Sequence, residues 1–227
     1  MRHLFLTIIT LSLFISCNKR VVQLPETTNQ DITEVIDVSA IYMFYDEEND
    51  SVNFNRRNMI GTTNWLVNID KRLTLKQILT HLQYLQEKRQ SDGMHKNDKA
   101  RNYFTCNNTN LENLSFIEFT NVVYSNDPLG SYLLKMSSLS DSRNIVSIKF
   151  KPNNDVTILN PNSKSNVTKT NFKNLKTSLK ELDSLENIIY LDFHEDLSFQ
   201  EYINYKSLFL EPDLKQVEFS NKEFIHN

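Results

Sequence analysis

The sequence predicts an α+β fold made of two similar ββαβαβ halves, each a small mixed sheet packed against two helices. Three observations carry that expectation. Short β-branched and aromatic runs alternate with stretches whose apolar residues recur at helical spacing. Apolar residues make up 39% of the chain and aromatics 11%, including 14 Phe and 9 Tyr, which is more than a disordered chain carries. Finally, Leu114, Ser115, Phe116, Glu118, Phe119 and Asn121 recur as Leu197, Ser198, Phe199, Glu201, Tyr202 and Asn204 at a constant offset of 83 residues, as in a duplication.

The chain opens with a leader. Arg2 and His3 precede an apolar and hydroxyl run from Leu4 to Ile15, which is shorter than the roughly 20 residues a spanning helix needs. Residues 1–16 therefore read as a signal peptide. Ser16 before Cys17 is similar to the bacterial lipobox, although Phe14 stands where leucine is usual, so Cys17 is the expected lipid attachment site. One acyl chain binds only marginally, and stable anchoring takes the several chains that such lipoproteins carry. Asn18 after the cysteine resembles an outer-membrane address, and the protein is expected to face the periplasm. Residues 17–37, polar and carrying Pro25, read as a lipidated tether.

Ordered structure is expected over 38–138 and 144–227. In the first span, Ile41–Tyr45 and Val52–Asn55 form a hairpin about the acidic Asp46–Asp50, and Trp65–Asp70 a further strand. Leu75, Ile78, Leu79, Leu82 and Leu85 make one helical stripe, opened by a Thr74 and Gln77 capping box. Gln86 to Arg101 reads as a loop, Asn102–Cys106 as a strand, Ser115–Tyr124 as a helix and Tyr132–Met136 as a strand. In the second span, Ile145–Lys151 and Val156–Leu159 form a hairpin around Pro152–Asp155. A helix follows from Asn171, then the strand Ile188–Phe193, a helix capped by Ser198 and Glu201, and a last strand Gln216–Ile225.

Composition excludes several classes. A net charge of −3 and a pI near 6.0 leave no basic footprint for nucleic acid. With Cys17 committed to lipid, Cys106 has no cysteine partner and reads as a buried, inert thiol. Three glycines, Gly61, Gly93 and Gly130, cannot write a dinucleotide fingerprint, a phosphate loop or a nucleophile elbow. Asp46, Glu47, Glu48 and Asp50 lack the alternating spacing and glycine of a calcium loop. No metal and no cofactor is expected. His194, Glu195 and Asp196 are the only candidates for acid–base or metal chemistry, but neighbours along a strand do not converge on one point. The other histidines considered, His81, His95 and His226, stand at no recognisable ligand spacing.

The segments VSIKFKPNNDVTILN, NFKNLKTSLKEL, NIIYLDF, LSFQEYINYKSLF and KQVEFSNKEF, between Asn144 and Phe224, resemble the periplasmic domain of the ExbD/TolR family of biopolymer-transport proteins. Leu24 and Pro25 resemble the pair that follows the membrane helix in that family. The resemblance implies a recognition domain that pairs with itself and touches envelope proteins or peptidoglycan. The family's membrane helix and its proton-handling aspartate have no counterpart here, so proton-driven work is not implied. Two halves of this kind would pair within one chain. The functional expectation is a non-catalytic envelope lipoprotein that binds a protein partner or the cell wall, accessory to biopolymer transport. The alternative is a periplasmic hydrolytic or metal-dependent enzyme with its site near His194–Asp196.

Overall fold

The computed structural model describes residues 20–91, 97–136, 144–183, 187–210 and 216–227. The leader and Cys17 lie outside the described residues. Among those described, the fold is α+β, with four helices and twelve strands in two mixed sheets.

The first sheet contains β1 (Glu26–Thr27), β2 (Val38–Asp46), β3 (Ser51–Asn55), β4 (Asn64–Ile69), β5 (Asn102–Asn108) and β6 (Asn113–Glu118). Its order is β3-β2-β4-β5, with β6 antiparallel to β5 and β1 parallel to the end of β5. The second sheet contains β7 (Val123–Ser125), β8 (Asn144–Lys151), β9 (Asp155–Leu159), β10 (Val167–Thr170), β11 (Asn187–His194) and β12 (Glu218–His226), in the order β10-β9-β8-β11-β12-β7. The strands β8, β11, β12 and β7 are mutually parallel, and β9 and β10 continue as an antiparallel meander. Asn153 and Asn154 turn the β8–β9 hairpin at φ of 65° and 59°, a left-handed region that asparagine tolerates.

Two helices, α1 (Leu75–Gln90) and α4 (Phe199–Phe209), lie between the sheets. Ile41, Met43, Val67 and Ile69 of the first sheet and Ile148, Leu191 and Phe193 of the second turn into one continuous core. Aromatic rings join the layers: Phe104 of β5 meets Phe199 and Tyr202 of α4 at 5.2 and 6.1 Å, and Tyr202 meets Phe193 of β11 at 5.1 Å. The other face of β11, with Ile188 and Tyr190, packs with Phe224 under α2 (Leu129–Met136), which inserts Leu129, Tyr132 and Leu133. Strand β11 is thus covered on both sides, which is why its run is apolar without alternation. The remaining helix, α3 (Phe172–Leu182), is capped by Asn171 and buries Leu175, Leu179 and Leu182.

The halves are related by an approximate two-fold arrangement centred on the starts of α1 and α4. Leu75 donates its N–H to Leu197 O at 2.9 Å, and Phe199 donates to Leu73 O at 2.7 Å. One residue further along each helix, Lys76 donates to Glu195 O and Gln200 donates to Lys71 O, at 2.8 and 3.1 Å. Both helices start with a complete capping box, Thr74 with Gln77 and Ser198 with Glu201. The strand orders β3-β2-β4-β5 and β9-β8-β11-β12 match in sequence and direction, and a short parallel strand, β1 or β7, lies beyond each. Each short strand is gripped by the other half's helix. Gln200 brackets the backbone of Glu26 through both amide atoms, while Gln83 and Gln86 bracket Tyr124.

Several elements differ from the sequence expectation. Ser115–Tyr124 is not a helix: Ser115 to Glu118 belong to β6, where Ser115 Oγ donates to Asn29 O and pairing to β5 sets the conformation. The repeat therefore runs from Thr74 to Ser198, 124 residues, instead of from Ser115. Tyr132–Met136 lies in α2, not a strand, because Leu129, Tyr132 and Leu133 share one helical face. The first half has no helix between β3 and β4, so its order departs there from the second half's. Helix α1 continues to Gln90, through residues expected to be loop. Residues 20–37 are bound to the body instead of forming a free tether: Pro25 O accepts Asn107 N, and Ile32 O accepts Phe116 N.

Candidate functional site

The strand β11 delivers His194 to its end, and the three residues expected to act together part there. Glu195 Oε1 pairs with Lys76 Nζ at 2.6 Å, at the start of α1. Asp196 stays with His194, whose Nδ1 accepts the Asp196 N–H at 3.2 Å. Strand register brings a different set to His194. Asp192 lies on the same face two residues earlier, Lys149 of β8 stands opposite Asp192, and His226 of β12 stands opposite His194. His226 Nε2 comes within 3.0 Å of Asp192 Oδ1, a contact short enough for charge pairing but poorly aligned as a hydrogen bond. Burial pushes the Asp192 carboxyl above the usual range, and His226, Lys149 and His194 pull it partly back.

This histidine and carboxylate group can hold a proton, but no serine, threonine or cysteine side chain hydrogen-bonds either imidazole among the described residues. Nor do three or more His, Cys, Asp or Glu side chains there form a group fit for a metal ion. The sequence offered no signal for Asp192 with His226, because only the parallel register of β11 and β12 makes them neighbours.

The other residues singled out in the sequence are accounted for locally. Cys106 is buried, and burial drives its thiol up to about 12. His81 packs against the Phe54 ring at 4.7 Å, and burial with the nearby Arg56 lowers its affinity for a proton. His95 lies outside the described residues. Asp46 accepts from the backbone of Glu48 and Asn49 and from Asn49 Nδ2, and Asp50 accepts from Tyr45 and from Gln77 of α1, so these two carboxylates are already engaged.

A second buried polar group joins the layers. Glu223 of β12 accepts from Tyr202 Oη at 2.7 Å and pairs with Lys206, and Tyr124 Oη lies 3.2 Å from Tyr202 Oη. Burial and the Glu223 charge hold both phenols well above their ordinary value. Tyr124, Tyr202 and Glu223 are buried and Lys206 closes the network from the partly exposed side of α4, so the network fixes α4 against β12.

The concave surface lies elsewhere. A groove of about 650 Å³ runs between residues 26–31, the turn at Thr109 and Asn110, and the C-terminal part of α4. Its floor is tied by Thr27 Oγ1 to Ser207 Oγ at 2.8 Å, and Asn108 Nδ2 holds Asn29 O. Phe172, Leu208 and Leu210 supply an apolar wall, while Thr28, Gln30 and Asn110 present side chains with no hydrogen bond to another described residue. Among the described residues no lysine or arginine lines it. Its two carboxylates are engaged, Glu26 with Lys71 at 2.7 Å and Asp31 with Asn29 at 3.2 Å. Such a surface offers amide and hydroxyl groups beside an apolar wall, suited to a neutral ligand rich in hydroxyls and amides. The sequence missed it, because its parts come from four separate segments. Comparison of the chain with protein-family models, with curated proteins and with solved structures returns no match.

Proposed function

We propose that the protein is a non-catalytic envelope lipoprotein, anchored through Cys17 at the periplasmic face of the outer membrane, that binds the cell wall. The observation that carries this reading is the groove beside residues 26–31, whose free amides and hydroxyls stand next to Phe172 with no basic residue among the described lining. Acetylated wall sugars carry the complementary groups: ring hydroxyls, acetamido amides and apolar sugar faces. The ExbD/TolR resemblance supports it through the order of β8, β9, α3, β11, α4 and β12, which follows that family's pattern with β10 added. A role accessory to biopolymer transport belongs to the same proposal. The test is sedimentation of the leaderless chain with purified wall sacculi. Binding that Gln30→Ala with Asn110→Ala weakens about tenfold, the effect of two lost hydrogen bonds, supports it. A chain that stays in the supernatant, or variants that bind unchanged, would refute it.

A protein partner is favoured by one other feature. β10 pairs with β9 on one edge only, its outer edge meets no described strand, and Val167 is 52% exposed. An extended segment of a partner fits there by strand addition. A photoreactive residue at Val167 that captures one envelope protein would support this reading, and labelling spread over many proteins would count against it.

A further inference from the structure

The bound course of residues 20–37 fixes where the chain leaves the body. Arg20 Nη1 donates to Asn53 Oδ1 at 2.8 Å beside the edge strand β3. Gln23 O accepts Lys71 N at 2.8 Å, the Gln23 N–H reaches Asp70 Oδ2, and Pro25 O accepts Asn107 N. The segment therefore crosses the ends of β4 and β5 as a strap. Only Asn18 and Lys19 separate Arg20 from Cys17. Fully extended, that stretch places the two Cα atoms no more than about 11 Å apart.

We propose that this leash presses one face of the body against the lipid headgroups: the surface around Arg20 and Val21 together with the hairpin tip Asp46–Asp50. The proposal rests on the lipid anchor of the proposed function. The chemistry of the face agrees with a headgroup layer. Val21 is 72% exposed, and with Arg20, Phe44 and Tyr45 it borders a cleft of about 510 Å³. Asp46, Glu47 and Glu48 line the same cleft, and Arg72 is already held between Asp70 and Glu47. An excess of carboxylates is repelled by anionic lipid and attracted by the ammonium groups of zwitterionic headgroups, so the surface fits a zwitterionic bilayer.

The experiment uses the mature lipidated chain on vesicles of phosphatidylethanolamine and phosphatidylcholine. A donor dye sits on Asn49→Cys, an exposed and uncharged position at the hairpin tip that leaves every carboxylate of the face in place, and an acceptor dye sits in the headgroup layer. The expected result is efficient energy transfer that falls at least twofold when 20 Gly and Ser residues, spanning about 25 Å, are inserted between Lys19 and Arg20. Replacing a third of the lipid by an anionic one should lower transfer at low salt, and added salt should restore it. If the chain pellets with the vesicles but transfer ignores the insertion, the leash is refuted while the anchor stands. If transfer ignores the lipid charge, the assignment to zwitterionic headgroups is refuted. A chain that does not pellet overturns the anchor and this inference together.

Discussion

Thr74 and Ser198 face each other across a single antiparallel bridge, each serving as the cap of its own helix while its neighbours exchange backbone hydrogen bonds with the other half. The first turns of α1 and α4 thereby satisfy N–H groups that a helix start otherwise leaves without partners. The two sheet-containing halves meet at these two residues through the starts of their helices. Thr74→Ala and Ser198→Ala should each cost about 1 kcal/mol, the ordinary worth of an N-cap. Urea denaturation of the single and double variants measures this, and losses near zero would show that the bridge alone holds the helices.

The Glu223 network predicts a larger effect. Truncating Glu223 to Ala removes the charged acceptor of Tyr202 and the partner of the part-buried Lys206 ammonium, so a loss of about 2 to 3 kcal/mol is expected. Tyr202→Phe removes only one hydroxyl and should cost about 1 to 2 kcal/mol. Equal losses in the two variants would contradict the picture of a charge held by several donors.

Alkaline stability follows from the same phenols. Tyr124 and Tyr202 bind their protons more tightly folded than unfolded, so their contribution is complete below the ordinary value of 10.0 and is lost as pH rises from there through the higher folded values. Unfolding followed between pH 9 and 12 should show a steeper decline in the native chain than in Tyr124→Phe with Tyr202→Phe.

At acid pH two carboxylates act in opposite directions. Burial raises Asp70, but hydrogen bonds from Arg72 and from the backbone of Arg72 and Gln23 outweigh it, and the net shift is downward. Its stabilisation is present above the ordinary 3.8 and is lost as pH falls through the lower folded value. Asp192 is shifted upward, so its ionisation weakens the fold as pH rises from 3.8 towards its folded value. Asp70→Asn should therefore flatten the loss of stability on acidification, and Asp192→Asn should steepen it, as read by denaturation between pH 2.5 and 6.

Arg89 lies 3.7 Å over the ring of Trp65, the sole tryptophan, and donates to Asn102 Oδ1, Gly61 O and Thr63 O. Burial pushes its guanidinium down to about 10, and Arg101 nearby adds to the shift. Arg89→Lys keeps a charge but loses the planar fork, at a cost of about 1 to 2 kcal/mol. Tryptophan emission is the readout, and an unchanged spectrum would place the ring elsewhere.

Much of the fold was legible where local and tertiary preferences agree. The stripe of α1 with its Thr74 cap, the hairpin turned at Asn153 and Asn154, and the apolar run of β11 all stand where expected. The errors arose where tertiary pairing overrode local signals. Ser115 and Glu118 have capping-box spacing, yet β5 claims that stretch as a strand. Leu73, Thr74 and Leu75 are less alike in letters to Leu197, Ser198 and Phe199 than the residues from Leu114 are, but they occupy the equivalent place. Leu129, Tyr132 and Leu133 stand at helical spacing, but over a segment too short for the spacing alone to separate helix from strand. The groove and the Asp192–His226 contact depend on long-range packing, which no spacing in the chain records.

The most direct test of the lipid address is mass analysis of the mature polypeptide recovered from membranes. The predicted product begins at Cys17, has lost residues 1–16, and carries acyl chains on its sulfur and amino group. A chain that keeps Met1 to Ser16, or one whose Cys17 sulfur bears no lipid, would contradict it.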